Sequence, residues 1–265
     1  MRRRFFVENF EGATAAVRGE AAHHLGRVLR AEPGQLYELS DGESVWLGRV
    51  ERVARDEVQF ALVEQLPARA TRLRVILLLA IVKFDRFEWS LEKATELGVS
   101  EIVPLATVRS EKALVTAAGK RAARWQKILV EAAQQARRLR APVLRTAMRP
   151  ADAFRHAAGL ELQRRGAESA EKGMRANDAD AAIRIVLSER PDAPALRAML
   201  EGKRSAGAAV AIGPEGGWIE EELAAARAAG FEEVSLGQNI LRTETAVVAA
   251  LAALNYALGD SEGLF

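Results

Sequence analysis

The sequence predicts an α/β protein, with a mostly parallel sheet covered by helices and a small β-rich module ahead of it. Three observations predict this. Val75 to Val82 is an unbroken apolar run of strand length. From Thr71 onward, strand-like and helix-like segments alternate, as a parallel sheet with both faces covered requires. Before residue 70 the chain instead shows short alternating stretches separated by turn signals.

In chain order, the first stretches are Phe5-Phe6-Val7, Gln35 to Ser40, Val45 to Val53 and Glu57 to Leu66. Pro33-Gly34 and Asp41-Gly42 punctuate them, and Asp-Gly between alternating strands is a hairpin cue. A short helix is predicted over Glu20 to Leu29, with His23 a candidate for its packed side. Residues 1–70 thus read as a small β-barrel module. Residues 71–265 form the second domain. Val75 to Val82 is a strand, and Asp85 to Leu97 is an amphipathic helix closed by Gly98. Glu101 to Leu105 is the next strand. A long helix follows over about Gly119 to Leu139, stopped by Pro142. Ile183 to Ser188, Ala208 to Ile212 and Glu233 to Leu236 are further strands. Helices are predicted over Ile219 to Ala229, capped by Gly230, and over Glu244 to Leu258, ending at Gly259. Residues 159–182 are polar and weakly periodic and read as a flexible insertion.

Composition narrows the chemistry. The chain has 265 residues, 49% hydrophobic and 28% charged, which is ordinary for a globular protein. The longest apolar run is far too short to span a bilayer. No apolar stretch of signal-peptide length follows the basic start Met1 to Phe6, so a cytoplasmic protein is expected. There is no cysteine, which excludes disulfides, thiolate zinc sites and cysteine nucleophiles, and argues against methylation of a pyrimidine at carbon 5. The three histidines make a histidine-rich metal site improbable, and no metal is expected. Net charge is +2 with a pI of about 9.1. Only seven of the 38 basic residues are lysine. Arginine suits phosphate and base-edge contacts through its planar fork, although coding bias accounts for such an excess equally well.

Three segments stand at the carboxyl ends of predicted strands, where ligands bind in open α/β sheets. They are Leu187-Ser188-Glu189, Ile212-Gly213-Pro214-Glu215-Gly216-Gly217, and Leu236 to Ala246 (LGQNILRTETA). Glycines around a proline let backbone approach a ligand and supply N–H donors. Glu220, Glu221 and Glu222 fill the first turn of the next helix, which disfavours a phosphate and favours a neutral or cationic ligand. Neither GxGxxG nor GxxxxGK[ST] occurs. Taken alone, the glycine loop reads first as a plain strand–helix turn, and Thr243 reads as a helix cap. Arg242, beside Ile240 and Leu241, has no such structural explanation.

GPEGG (213–217) followed by LGxxILRTETA (236–246) resembles the cofactor-binding pair of the SPOUT methyltransferases. The similarity is to the ribosomal small subunit methyltransferase E family, the 16S ribosomal RNA uracil-N(3) methyltransferases. HHLGRVLR (23–30) with PGQLYELSDG (33–42) resembles that family's PUA-like RNA-binding barrel. EKATELGVSEIVPL (92–105) with Arg109-Ser110, and EAAQQARR (131–138), resemble its catalytic domain, although Gln134 stands where the family usually has Glu. The resemblance covers nearly the whole chain except 159–182. It implies a deep trefoil knot in the C-terminal domain, a homodimer, and S-adenosyl-L-methionine bound bent against the three segments. The cofactor-binding residues would be Leu187, Ser188, Glu189, Ile212, Gly213, Pro214, Glu215, Gly216, Gly217, Leu236, Gly237, Ile240, Leu241, Arg242, Thr243, Thr245 and Ala246.

The implied reaction is methylation of uracil ring nitrogen 3 in 16S ribosomal RNA, free or within the small subunit or its precursor. Ring nitrogen 3 carries a weakly acidic proton. Arg242 is the candidate for stabilising negative charge on the base or holding its phosphate. Glu215 or Glu244 is the candidate proton acceptor, against the ordinary role of helix-start glutamates in complementing the dipole. Arg2, Arg3, Arg4, His24, Arg27, Arg30, Arg109 and Arg138 are the candidate RNA contacts, Arg27 and Arg30 being spaced to share a helical face. Two other readings remain: a SPOUT methyltransferase acting on another RNA such as tRNA, and a non-catalytic ribosome-assembly protein that binds RNA.

Overall fold

The computed structural model describes residues 3–68, 73–159 and 182–259. The segment predicted as a flexible insertion lies almost wholly outside them, as does Arg2. The chain divides into two compact units. The first holds residues 1–70 together with 130–141, and the second holds 71–129 with 142–265.

The first unit is a five-stranded sheet in the order β1-β3-β4-β5-β2, comprising β1 (Arg4–Phe6), β2 (Thr14–Arg18), β3 (Leu36–Ser40), β4 (Val45–Val53) and β5 (Glu57–Leu66). β1 runs parallel to β3 and every other pair is antiparallel. The Asp-Gly hairpin forms between β3 and β4. Asp41 Oδ1 accepts from the backbone N–H of Glu43 and Ser44 at 2.9 and 2.8 Å, the Asx geometry that makes this residue a turn former. Strand β2 was not predicted, because Thr-Ala-Ala-Val-Arg carries little apolar contrast. Phe5, Leu39, Val50, Val58 and Phe60 form the core with Leu25 from the helix.

That helix departs from the predicted one. Gly19–His23 (α1) is α-helical and His24–Val28 widens into a π-turn. Ala22 and Leu25 pack inward, while His23 is exposed, so His23 is not the packed residue. Arg30 lies beyond the helix with φ of 51° and therefore shares no helical face with Arg27.

The second unit is a six-stranded, wholly parallel sheet in the order β11-β9-β10-β6-β7-β8. Its strands are β6 (Arg74–Ala80), β7 (Glu101–Leu105), β8 (Val143–Leu144), β9 (Ile183–Leu187), β10 (Gly207–Ile212) and β11 (Glu232–Val234). Alternate residues of β6 face opposite layers. Val75, Leu77 and Leu79 pack against α2 (Phe84–Glu96), α3 (Lys112–Gln135), α5 (Leu196–Leu200) and α7 (Thr243–Leu258). Ile76 and Leu78 pack with Phe154 of α4 (150–159) and with Leu223 and Ala226 of α6 (Glu220–Ala228). Burying both faces explains why these strands read as apolar runs. The long helix starts earlier and ends earlier than predicted. Its end is marked by Arg137, whose φ of 52° breaks the helical path before Pro142. Helices α4 and α5 and strand β8 were not predicted, being short or rich in alanine and arginine.

At the amino ends of β6 and β7, Glu101 is 1% exposed and gathers two arginines and a histidine. Arg145 Nε donates to it at 2.8 Å, His156 Nε2 lies 2.6 Å away, and Arg74 reaches it at 3.4 Å. Burial raises the Glu101 carboxyl, but hydrogen bonds from Arg145 and His156 outweigh it and hold the group below its ordinary range. Among the described residues, no helix is long and apolar enough to cross a membrane.

Candidate cofactor and substrate site

The three loops at the carboxyl ends of β9, β10 and β11 line one cleft of about 400 Å³. That size lies in the range of small-molecule sites, about 300–1,000 Å³. β9 and β10 are adjacent and β11 flanks β9, so parallel pairing brings loops distant in sequence to a common edge.

Most of the predicted cofactor residues line the cleft: Leu187, Ser188, Glu189, Ile212, Gly213, Pro214, Glu215, Gly216, Gly217, Leu236, Gly237, Ile240, Leu241, Thr243 and Ala246. Arg242 and Thr245 do not; both are exposed. Helical geometry explains the split. α7 buries Thr243, Ala246, Val247 and Ala250, which turns Thr245 outward, and Arg242 stands at the N-cap ahead of the first turn. Thr243 is not the cap. Its hydroxyl donates to Gly213 O at 3.3 Å, joining the third loop to the second.

Trp218, absent from the predicted set, organises the middle of the cleft. Its indole N–H donates to Leu187 O at 2.8 Å, which ties the glycine loop to the end of β9. A Cβ on Gly213 would come within 2.9 Å of the Trp218 ring. Gly213 is therefore glycine because an indole lies on it. The only sequence signal was an aromatic directly after GPEGG.

The first turn of α6 is also occupied. Glu220 pairs with Arg190 at 2.5 Å and with Arg227. Glu222, 6% exposed, accepts from the backbone N–H of Val108 at 2.9 Å and of Ile219 at 3.2 Å. Arg109 lines the cleft and its guanidinium donates to Gly216 O.

The two candidate proton acceptors share a cation that the sequence did not reveal. Arg86 of α2 forms an ion pair with Glu215, and its Nε lies 3.8 Å from Glu244. Glu244 Oε2 is buried without a hydrogen-bond partner. Glu215 lines the cleft and Glu244 does not.

The candidate RNA contacts fare unevenly. Arg27, Arg30 and Arg109 are exposed. Arg3 Nη1 lies 3.3 Å from His24 Nε2. Arg4 is a correction: it is 8% exposed, donates to Glu38 at 2.9 and 3.2 Å and to Arg137 O. Buried and with three of its five N–H groups already bonded, this guanidinium serves the interior of its own unit and is not presented to phosphate. Arg138 is half-buried, and burial lowers its guanidinium to about 10. Among the described residues, no cluster of three or more histidines and carboxylates could hold a metal.

A parallel α/β unit whose strand-end loops converge on one cleft is the plan of a small-molecule-binding protein of the open-sheet class. Residues 69–255 match the RNA methyltransferase domain family, and residues 17–63 match the RNA methyltransferase PUA domain. The protein is 31% identical to Ribosomal RNA small subunit methyltransferase E of Synechocystis sp. over 92% of this chain and 73% of that one. It is 29% identical to the protein of the same name from Bacillus subtilis over 96% of both. In three dimensions it resembles Ribosomal RNA small subunit methyltransferase E of Neisseria gonorrhoeae, solved bound to S-adenosyl methionine. The TM-score is 0.80, with 27% identity over 98% of this chain and 100% of that one. The chain belongs to the ribosomal RNA small subunit methyltransferase E family.

Proposed function

We propose that the protein transfers a methyl group from S-adenosyl-L-methionine to ring nitrogen 3 of a uridine in 16S ribosomal RNA. The observation that carries the reading is the convergence of three strand-end loops on one cleft. Its lining fits the cofactor. Leu187, Ile212, Leu236, Leu241 and Ala246 offer apolar walls for a heteroaromatic base. The backbone at Gly237, where a Cβ would meet open space, allows close approach, and Glu189 and Glu215 offer carboxylates to a cationic group. When bound, the cofactor supplies a methyl group already activated by its sulfonium.

The chain's own task is alignment, water exclusion and handling of the nitrogen-3 proton. Glu215, at the cleft wall, and Glu244, with its bare buried oxygen, are the candidate proton acceptors. Arg86 holds both close to the glycine loop. Arg242, exposed at the start of α7, is the candidate for meeting charge on the base or its phosphate. The first unit is the RNA-binding, PUA-like barrel, with Arg3, His24, Arg27 and Arg30 as its basic surface. We further propose that α7, which returns from the sheet edge to bond Gly213 through Thr243, threads a trefoil knot, and that the protein acts as a homodimer in the cytoplasm.

Titration calorimetry with S-adenosyl-L-methionine, followed by mapping of methylated nucleosides in ribosomal RNA from cells with and without the protein, tests this. Cofactor binding and loss of one N(3)-methyluridine from 16S RNA are expected. A missing mark in tRNA would move the target. RNA binding without cofactor binding would make the protein an assembly factor.

A further inference from the structure

We infer that Glu222 is a positioning residue that fixes Arg109 beside the glycine loop, where Arg109 contacts the RNA substrate. The inference rests on the methyltransferase reading above and deepens it.

Glu222 is buried, and a buried carboxylate is costly unless its oxygens are bonded. Its two oxygens take two backbone N–H groups, those of Ile219 and Val108. The bond to the backbone N–H of Ile219, the residue at the N-cap of α6, serves α6 itself. The bond to Val108, 114 positions away, does nothing for α6. It pins the turn between β7 and α3. That turn is closed from within: Thr107 Oγ1 and Ser110 Oγ lie 2.8 Å apart, and Ser110 N donates to Thr107 O at 3.2 Å. Thr107 and Ser110 are buried, while Val108 and Arg109 are exposed. A rigid turn therefore presents one arginine at the cleft.

The glycine loop is shaped to receive it. A Cβ on Gly216 would lie 3.3 Å from both Cβ and Cδ of Arg109, so the arginine stem rests where a side chain would otherwise stand. Arg109 spends one donor on Gly216 O. The rest of its fork suits a phosphate or the carbonyls of a base. Arg109 is thus held to the cofactor loop by its own hydrogen bond and by Glu222 beneath the turn.

A double-mutant cycle in the full-length protein tests this with wild type, Glu222→Gln, Arg109→Ala and the double variant. Three quantities are measured: the Kd for S-adenosyl-L-methionine, the KM for 16S RNA substrate, and amide exchange at Val108 in cofactor-free protein. Glu222→Gln is expected to leave cofactor Kd within about threefold, raise RNA KM about tenfold and speed Val108 exchange. Arg109→Ala raises RNA KM comparably, and the double variant is no worse than Arg109→Ala. Effects that multiply in the double variant, a loss of cofactor rather than RNA affinity in Glu222→Gln, or unchanged Val108 exchange would each overturn the inference. Should Glu222→Gln not fold, Glu222→Asp takes its place in the cycle under the same criteria, and an Arg109→Ala KM equal to wild type refutes the inference in either case. A wild type that neither binds the cofactor nor methylates RNA fails the reading beneath. An active wild type with multiplying effects fails this inference alone.

Discussion

The two sheets of this protein bury their residues differently, and the difference tells where each can meet a ligand. In the first unit, β2 and β4 alternate buried with exposed positions, as an antiparallel sheet with one solvated face does. In the second, β6 and β7 are buried almost throughout. A sheet covered on both faces has only its strand ends to offer. Polar side chains follow suit. In the first unit they hold strands and segments together, as Arg4 with Glu38 and Ser40 with Leu139 O at 2.8 Å. In the second, those around the cleft are spent on loops: Trp218 on Leu187 O, Thr243 on Gly213 O, Glu222 on Val108.

Four experiments break or sharpen this contrast, the largest effect first. Leu77→Ala removes a side chain with no exposure from the middle of the parallel sheet. It should cost about 3–5 kcal/mol in urea unfolding followed by fluorescence of Trp125 and Trp218. The first unit's Trp46 environment should survive if the two cores are independent. Glu101→Gln strips the carboxylate from Arg145 and His156. We expect a loss of about 2–3 kcal/mol, below the range for a fully buried pair because Arg145 keeps contact with water. The pH dependence is the sharper readout. The folded-state Glu101 carboxyl lies below its ordinary range, so its stabilisation is present above the unfolded pKa and is lost as pH falls through the folded one. Wild type should lose stability as pH falls below about 5, through the unfolded-state value and on through the lower folded-state one, and the glutamine variant should show a flatter profile.

Gly213→Ala acts on the loops alone. The added methyl meets the Trp218 ring, so cofactor affinity should fall about tenfold by calorimetry, with the chain still folded. The smallest effect belongs to the first unit's surface. Arg27→Ala and Arg30→Ala should each weaken RNA binding about threefold and lower the salt slope by about one. An unchanged slope would remove these arginines from the RNA interface.

Much of this contrast was legible in the chain. Continuous apolar runs marked the parallel strands, and Asp41-Gly42 marked the hairpin, because both signals are local. Strand ends followed, and with them the loops that line the cleft. Alternation failed at β2, where alanines blunt it, and helical periodicity failed at α4, whose apolar residues are mostly alanine, and at α5, which at five residues is too short to show a period. Helical spacing also misled at Arg30, since a single left-handed residue cancels it.

Local pattern was enough to establish the class of fold, the absence of thiol chemistry and the segments that meet at the cleft. Folding alone decided which partner each of these side chains meets. Arg86 reaching Glu215, Trp218 reaching Leu187 and Glu222 reaching Val108 join positions far apart in the chain. No propensity or spacing encodes such pairs, because their partners become neighbours only after a parallel sheet has set its strand order.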